Sequence, residues 1–322
     1  MLTLDLKLIV RLLAILACSL VFPHLTYGLT EQAQSDPLAT VSFEVTDDAG
    51  RRLSFANQPQ RIVSLAPHIT ELLFAAGAGE RIVATSQYSD FPPAAKNIPA
   101  IGDAYTVNIE ALLKLNADLV LVWESGIPIR TIESFDRLNI QYFVSEPKSV
   151  SAMVESLRVF GRIAGDVTEA NQTADRLQQR WKQLQTKYQS LPPVSIFYQI
   201  WHEPLFSVSN PHIIDRVIKS CGGKNIFFDQ PRPVFMTQLE AVLAANPDAI
   251  LFGGLNRTTD KATNTRFWQR FNQLDAVKNE RLIALPDELL HRPSPRLIDG
   301  AEYMCEQIQR VRASGLSAVS NH

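Results

Sequence analysis

The sequence lacks the signatures of common catalytic machinery. No G-x-S-x-G elbow, P-loop, H-E-x-x-H or C-x-x-C occurs, and "GAGERI" is missing the third glycine of a dinucleotide fingerprint. The carboxylates Asp90, Asp103, Glu124, Glu203, Asp287 and Glu288 sit in loop-like stretches without an evident acid–base pairing. These absences point to a binding protein in place of an enzyme, with no cofactor and no metal site expected. A strong charge of either sign is also missing: 31 Lys and Arg oppose 33 Asp and Glu, for a net charge of −2. That balance gives no electrostatic basis for binding nucleic acid. Beyond residue 28, no stretch approaches the ~20 apolar residues that cross a bilayer.

Cysteine is scarce, with three in 322 residues, and their placement is informative. Residues 1–28, "MLTLDLKLIVRLLAILACSLVFPHLTYG", put Lys7 and Arg11 ahead of a mainly apolar run that ends in small and turn residues, the pattern of a secretory signal. Cys18 follows Leu16 and Ala17 as a lipoprotein cysteine would, but apolar residues continue to Phe22, so cleavage near Gly28 is the preferred reading. The mature chain is then exported and keeps Cys221 and Cys305. An even pair in an oxidising compartment reads as one disulfide, the alternative being two buried free thiols.

What the sequence does contain is a repeat. "NIEALLKLNADLVLV" at 108–122 and "QLEAVLAANPDAILF" at 238–252 match in Glu-Ala, Leu, Asn and Asp, 130 residues apart. Each reads as a short helix leading into an apolar strand, so the chain is expected to hold two similar α/β lobes. Strands are expected at Ile62–Leu65, Ile82–Thr85, Leu119–Val122 and Tyr142–Val144 in the first lobe, and at Ser195–Tyr198, Ile250–Phe252 and Leu282–Leu285 in the second. Residues 41–55 alternate around Asp-Ala-Gly as a hairpin. Between the lobes, apolar positions from Val150 to Tyr188 recur at steps of three and four, broken once at Gly165 and stopped by Pro192 and Pro193. The expected organisation is a signal peptide at 1–28, a first lobe at 41–148, a stiff helical connector at 149–191 and a second lobe at 192–315.

In "RIVSLAPHITELLFAAG", His68 and Glu71 are three apart after a strand and a proline. Glu71 reads as a carboxylate near a helix start, favoured by the dipole there. His68 reads as polar lining at the carboxyl end of a strand, with metal ligation the alternative. The segments after the other strands are rich in aromatics: Tyr88, Phe91, Trp123, Trp201 and Phe206, with Tyr105 and Phe235 in loops that lead into the repeated helices. Aromatics at such positions suit a large flat ligand held by stacking and a few polar groups; each could instead pack under its own loop.

The stretches "RIVSLAPHITELLFAAGAGERIVATSQYSDFPP", "NIEALLKLNADLVLVW", "IKSCGGKNIF", "LEAVLAANPDAIL" and "RPSPR" occur in an order that resembles the periplasmic cobalamin-binding proteins of ABC importers, within the wider class of metal-chelate and siderophore binding proteins. The resemblance runs from about residue 60 to 312. It implies two Rossmann-like lobes joined by a single long connecting helix, with the ligand cleft between them and limited closure on binding. It also implies a monomer that carries cobalamin or a related corrinoid to a membrane permease. Cys221 and Cys305 match the family disulfide. Glu110 and Glu240 match the pair that docks each lobe onto permease arginines, and without the resemblance they too read as helix-start carboxylates. Tyr88, Trp123 and Phe206 stand where corrin contacts are made, Arg292 near the ligand's polar side chains, and Glu288 where the family carries an acid. Two family tryptophans are replaced here, by Ala104 beside Tyr105 and by Val234 beside Phe235, and Leu289 and His291 also depart from the pattern.

The alternative within the class is a ferric-siderophore or haem carrier, with His68 or His291 as an iron ligand. From a different class, a secreted metal-dependent hydrolase would require His68, Glu71 and His202 to converge.

Overall fold

The hairpin at the front follows from its alternation. In the computed structural model, which describes residues 43–103 and 105–319 with side chains as far as 315, β1 (Phe43–Thr46) pairs antiparallel with β2 (Arg52–Phe55). Val45, Leu53 and Phe55 are buried. Asp47 organises the turn: Oδ1 accepts from the Ala49 and Arg51 N–H groups, and Oδ2 accepts from the Arg51 guanidinium and from the Val144 N–H, which ties the hairpin to the first lobe. The signal segment 1–28, Cys18 and Ala104 lie outside the described residues.

The first lobe is a four-stranded parallel sheet in the order β4 (Ile82–Thr85), β3 (Ile62–Ser64), β5 (Leu119–Trp123), β6 (Tyr142–Ser145). Of its central strands, β5 is an unbroken apolar run and β3 is buried throughout, because both faces are covered. Helices α1 (Pro67–Ala75), α2 (Ile109–Lys114) and α3 (Ile129–Arg137) connect the strands. Pro67 starts α1, where its missing N–H costs nothing, and the Asn108 side chain caps α2 by accepting from the Ala111 N–H.

The connector is less simple than a rod. Helix α4 (Val150–Ala164) ends at Gly165, whose φ of +75° terminates it in the left-handed region, and α5 (Val167–Tyr188) begins two residues later. Arg158 reaches Asn171 and Asp175, and Gly161 faces Ala170, so the two helices run antiparallel as a hairpin. Only α5, about 33 Å long at 1.5 Å per residue, joins the lobes. It packs on α4 at one end, and at the other Arg180 bonds Asp299 and Glu302 of the C-terminal helix. The break expected at Gly165 is present, and it reverses the chain because glycine permits the left-handed turn.

The second lobe is built on β7 (Val194–His202), β8 (Leu205–Val208), β9 (Gly223–Asn225), β10 (Val234–Met236), β11 (Ala249–Gly253) and β12 (Leu282–Leu285). The order is β10-β8-β7-β11-β12, with β9 alongside the start of β7; β7, β9, β11 and β12 are parallel, and β8 and β10 are antiparallel additions. Its helices are α6 (Ile213–Ser220), α7 (Leu239–Ala245), α8 (Thr258–Gln269), α9 (Asp275–Lys278), α10 (Asp287–Leu290) and α11 (Leu297–Val319). The repeat occupies equivalent places, α2–β5 in one lobe and α7–β11 in the other. Cys221 at the end of α6 is disulfide-bonded to Cys305 in α11, closing a loop of 84 residues.

At Gly161 a Cβ would stand 2.3 Å from the Ala170 Cβ, so glycine is required by the close crossing of α4 and α5. Gly161→Val should destabilise the fold by about 2 kcal/mol or more through overpacking, and adding Ala170→Gly should restore part of the loss. Equal denaturation midpoints for wild type and Gly161→Val would contradict this packing.

Candidate ligand-binding site

The carboxyl ends of the two parallel sheets meet through one buried carboxylate. Glu71 is the fifth residue of α1 and lies outside the first turn, which corrects its reading as a helix-start group. Its Oε1 accepts from Arg292 Nη1 at 3.1 Å and Arg296 Nη2 at 2.7 Å, and its Oε2 accepts from Ser294 Oγ at 2.7 Å and Arg296 Nε at 2.8 Å. All three donor residues come from the second-lobe segment between α10 and α11. Arg292 also donates to Asp90 at 2.6 Å and to the Tyr88 carbonyl at 3.1 Å. Its guanidinium therefore works as a lobe-to-lobe tie. Burial alone would raise the Asp90 carboxyl, but the Arg292 hydrogen bond and charge outweigh it and hold the group below its ordinary value.

The aromatics divide into exposed and absorbed. Trp123 is the last residue of β5 and 36 % exposed, and Trp201 near the end of β7 is 57 % exposed, one indole on each lobe. Tyr88 is 76 % exposed with a φ of +65°, held by its carbonyl bond to Arg292. Trp201 and Phe206 are cross-strand neighbours on β7 and β8, so the stretch after Tyr198 is a β-hairpin where a loop was expected. Phe91 lies under the Arg296 guanidinium at 4.0 Å. Phe235 packs edge-on against Phe227, which packs on Phe197, within the lobe's own aromatic cluster. Tyr105, 76 % exposed, lines a first-lobe groove of about 370 Å³ with Ile109, Arg130 and Arg137. Glu288 accepts from Asn256, and Glu110 and Glu240 are exposed in the first turns of α2 and α7.

A second-lobe cavity of about 380 Å³ opens beside Trp201, lined by Gln199, His202, Arg257, Asn264, Asp287 and His291 among others. Burial would raise the Asp287 carboxyl, but hydrogen bonds from Arg257 and the Gly254 N–H hold it low. His291 shares a 3.1 Å hydrogen bond with Tyr198 Oη and is kept below its ordinary value by burial, so it is neutral at pH 7. Among the described residues no group of three or more His, Cys, Asp and Glu is placed to hold a metal ion, so His68, Glu71 and His202 do not form one. The sequence singled out none of Gln199, Asn264, Ser294 or Arg296; only the last two fell within a quoted motif.

His68 is 4 % exposed, edge-on to Trp123 with ring centroids 5.7 Å apart, and its Nε2 is sealed without a partner among the described residues. Burial, reinforced by the Arg292 charge, lowers its pKa to about 3; burial and nearby His291 lower His212 to about 4. A depressed histidine stabilises the fold above its unfolded pKa of about 6.5, and that contribution is lost as pH falls toward the folded value. At pH 5 the loss is about 2 kcal/mol for each of the two. The thermal midpoint should drop between pH 7 and 5, and the drop should be smaller in His68→Gln. Parallel pH profiles for the two proteins would contradict the burial of a neutral imidazole.

Comparison with known proteins agrees with this architecture. A family model described as periplasmic binding protein matches residues 62–289. The vitamin B12-binding protein of Vibrio cholerae is 32 % identical over 252 residues, 78 % of this chain and 89 % of that protein. The protein of the same name from Photorhabdus laumondii is 33 % identical over 250 residues, 78 % of this chain and 88 % of its own. The crystal structure of the periplasmic vitamin B12-binding protein BtuF of Vibrio cholerae superposes with a TM-score of 0.73 over 79 % of this chain and 98 % of that one. A periplasmic heme-binding protein, RhuT from Roseiflexus, shares the fold at 22 % identity and a TM-score of 0.68, covering 78 % of this chain and 98 % of its own. The chain belongs to the periplasmic binding protein family, and it is a binding protein and not an enzyme.

Proposed function

We propose that this protein captures cobalamin or a related corrinoid between its lobes in the periplasm, as a monomer, and delivers it to the permease of an ABC importer. The observation that carries the reading is the pair of exposed indoles, Trp123 and Trp201, one at the carboxyl end of each lobe's sheet, in a chain about one-third identical to proteins named for binding vitamin B12. Trp123, Trp201, Tyr88 and Phe206 supply aromatic walls that desolvate the flat faces of the macrocycle. Tyr105 and Phe91 extend these walls on the first-lobe side, whereas Phe235 serves the second lobe's own aromatic cluster. Glu288 and the Arg292 segment offer polar groups to the ligand's amide rim. No bond is made or broken, so release rests on the permease competing for the lobes.

Glu110 and Glu240 are the docking knobs of this reading. They occupy equivalent first-turn positions through the repeat, both exposed, and neither carboxylate has a partner among the described residues. Two acidic groups fixed on rigid helices would engage arginines of a permease and set the orientation of the loaded protein.

Calorimetric titration of the mature protein should show tight one-to-one binding of cyanocobalamin with quenched tryptophan fluorescence, and no comparable binding of hemin. Trp123→Ala should weaken cobalamin binding by at least about tenfold, equivalent to about 1.4 kcal/mol. Preferential binding of hemin would move the assignment to a haem carrier. Charge reversal at Glu110 and Glu240 together should abolish uptake while leaving ligand affinity unchanged; undiminished uptake would refute the docking role.

A further inference from the structure

The cavity beside Trp201 is backed by a buried hydrogen-bond relay. Asp260, Asn264 and Trp268 recur every four residues along α8 and so share one face of the helix. Trp268 is fully buried, and its Nε1 donates to Gln199 Oε1 at 2.7 Å; Gln199 Nε2 donates to Asn264 Oδ1 at 2.7 Å. The direction of the relay is set at its inner end, because an indole N–H can donate and cannot accept. Gln199 must turn its oxygen to Trp268 and its amino group outward, and Asn264 must then turn its oxygen inward. What remains of Asn264 is the amino group. The residue is only 8 % exposed and lines the cavity, and Nδ2 has no partner among the described residues yet is not sealed from solvent. Rotation of the relay is opposed by aromatic packing around Trp268, whose ring meets Phe197, Phe267 and Phe271 at centroid distances of 5.6, 5.0 and 6.1 Å.

One turn along the same face, Asp260 supplies the opposite polarity. Its Oδ2 accepts from Arg257, while Oδ1 has no partner among the described residues. Around the cavity two carboxylates, Asp260 and Asp287, face one guanidinium, Arg257, which bonds both. A fixed N–H donor and one unpartnered carboxylate oxygen, Asp260 Oδ1, four residues apart on a helix, complement the C=O and NH2 of a primary carboxamide. A carboxylate ligand would match the donor and be repelled by Asp260.

We propose that this cavity is a carboxamide subsite, in which Asn264 donates to an amide carbonyl of the ligand and Asp260 accepts from its NH2. Trp268 and Gln199 are positioning residues that fix the Asn264 amide. The subsite rests on the corrinoid reading above and deepens it: it selects ligands with an amide rim over carboxylate-bearing macrocycles of similar shape.

The test uses wild-type protein, cyanocobalamin, and the three cobalamins in which a single peripheral propionamide is hydrolysed to a carboxylate. Wild type should bind cyanocobalamin, reject one of the three acids by about tenfold or more relative to the other two, and lose about tenfold in cyanocobalamin affinity on Asn264→Ala. Asp260→Asn should recover the rejected acid, an effect that general loosening of the helix would not produce. Equal affinities for all three acids in wild type, or an unchanged cyanocobalamin affinity in a folded Asn264→Ala, would overturn the subsite and leave the corrinoid reading standing. If wild type does not bind cyanocobalamin at all, both fall together.

Discussion

The carboxylate of Glu71 is the constraint on which the geometry between the lobes depends. A charge this deeply buried is costly to desolvate, and it persists because four hydrogen bonds from two arginines and a serine satisfy it. Every donor belongs to the other lobe, so the interaction forms only when the two sheets face each other at one angle. From that fixed point Arg292 extends to Asp90 and to the Tyr88 carbonyl, placing the exposed tyrosine, and Arg296 covers the ring of Phe91. Removing one partner of such a network typically costs about 3–5 kcal/mol, since it strands the remaining charges.

The connector acts with this tie. The antiparallel α4–α5 pair roots one end of the long helix in the first lobe, and Arg180 fixes the other end to α11 of the second. The disulfide then holds α11 to α6. Two separate lobe-to-lobe attachments, a helix on one side and an ion-pair cluster at the carboxyl ends of the strands, restrict hinge motion far more than a single flexible linker would. On the function proposed above, the exposed indoles and the relay behind Asn264 would already be oriented before a ligand arrives.

Much of this is legible in the sequence. Parallel strands buried on both faces are written as apolar runs, and the helix–strand repeat reveals the two lobes, because both depend on local pattern. The antiparallel additions β8 and β10 escape such a reading, since strands of four and three residues, following Pro204 and Pro233 respectively, carry too little alternation. Glu71 is misleading for a different reason. Its position near a helix start is a local property, whereas its partners lie more than 220 residues away, and no local pattern encodes them. Phe235 looks like ligand lining in the sequence, yet it meets Phe227 within its own lobe, and Asn264 is an ordinary helix-surface amide until Trp268 and Gln199 give it a direction.

If Glu71 locks the lobes at one angle, the distance between them is single-valued. Pulsed electron-spin distance measurements between labels at the exposed positions Arg137 and Lys278, one on each lobe, address it directly. The wild-type protein should give one narrow distance distribution, little changed by ligand, and Glu71→Gln a clearly broader one. A broad or two-peaked distribution in the wild-type protein, or a Glu71→Gln distribution as narrow as wild type, would contradict the lock.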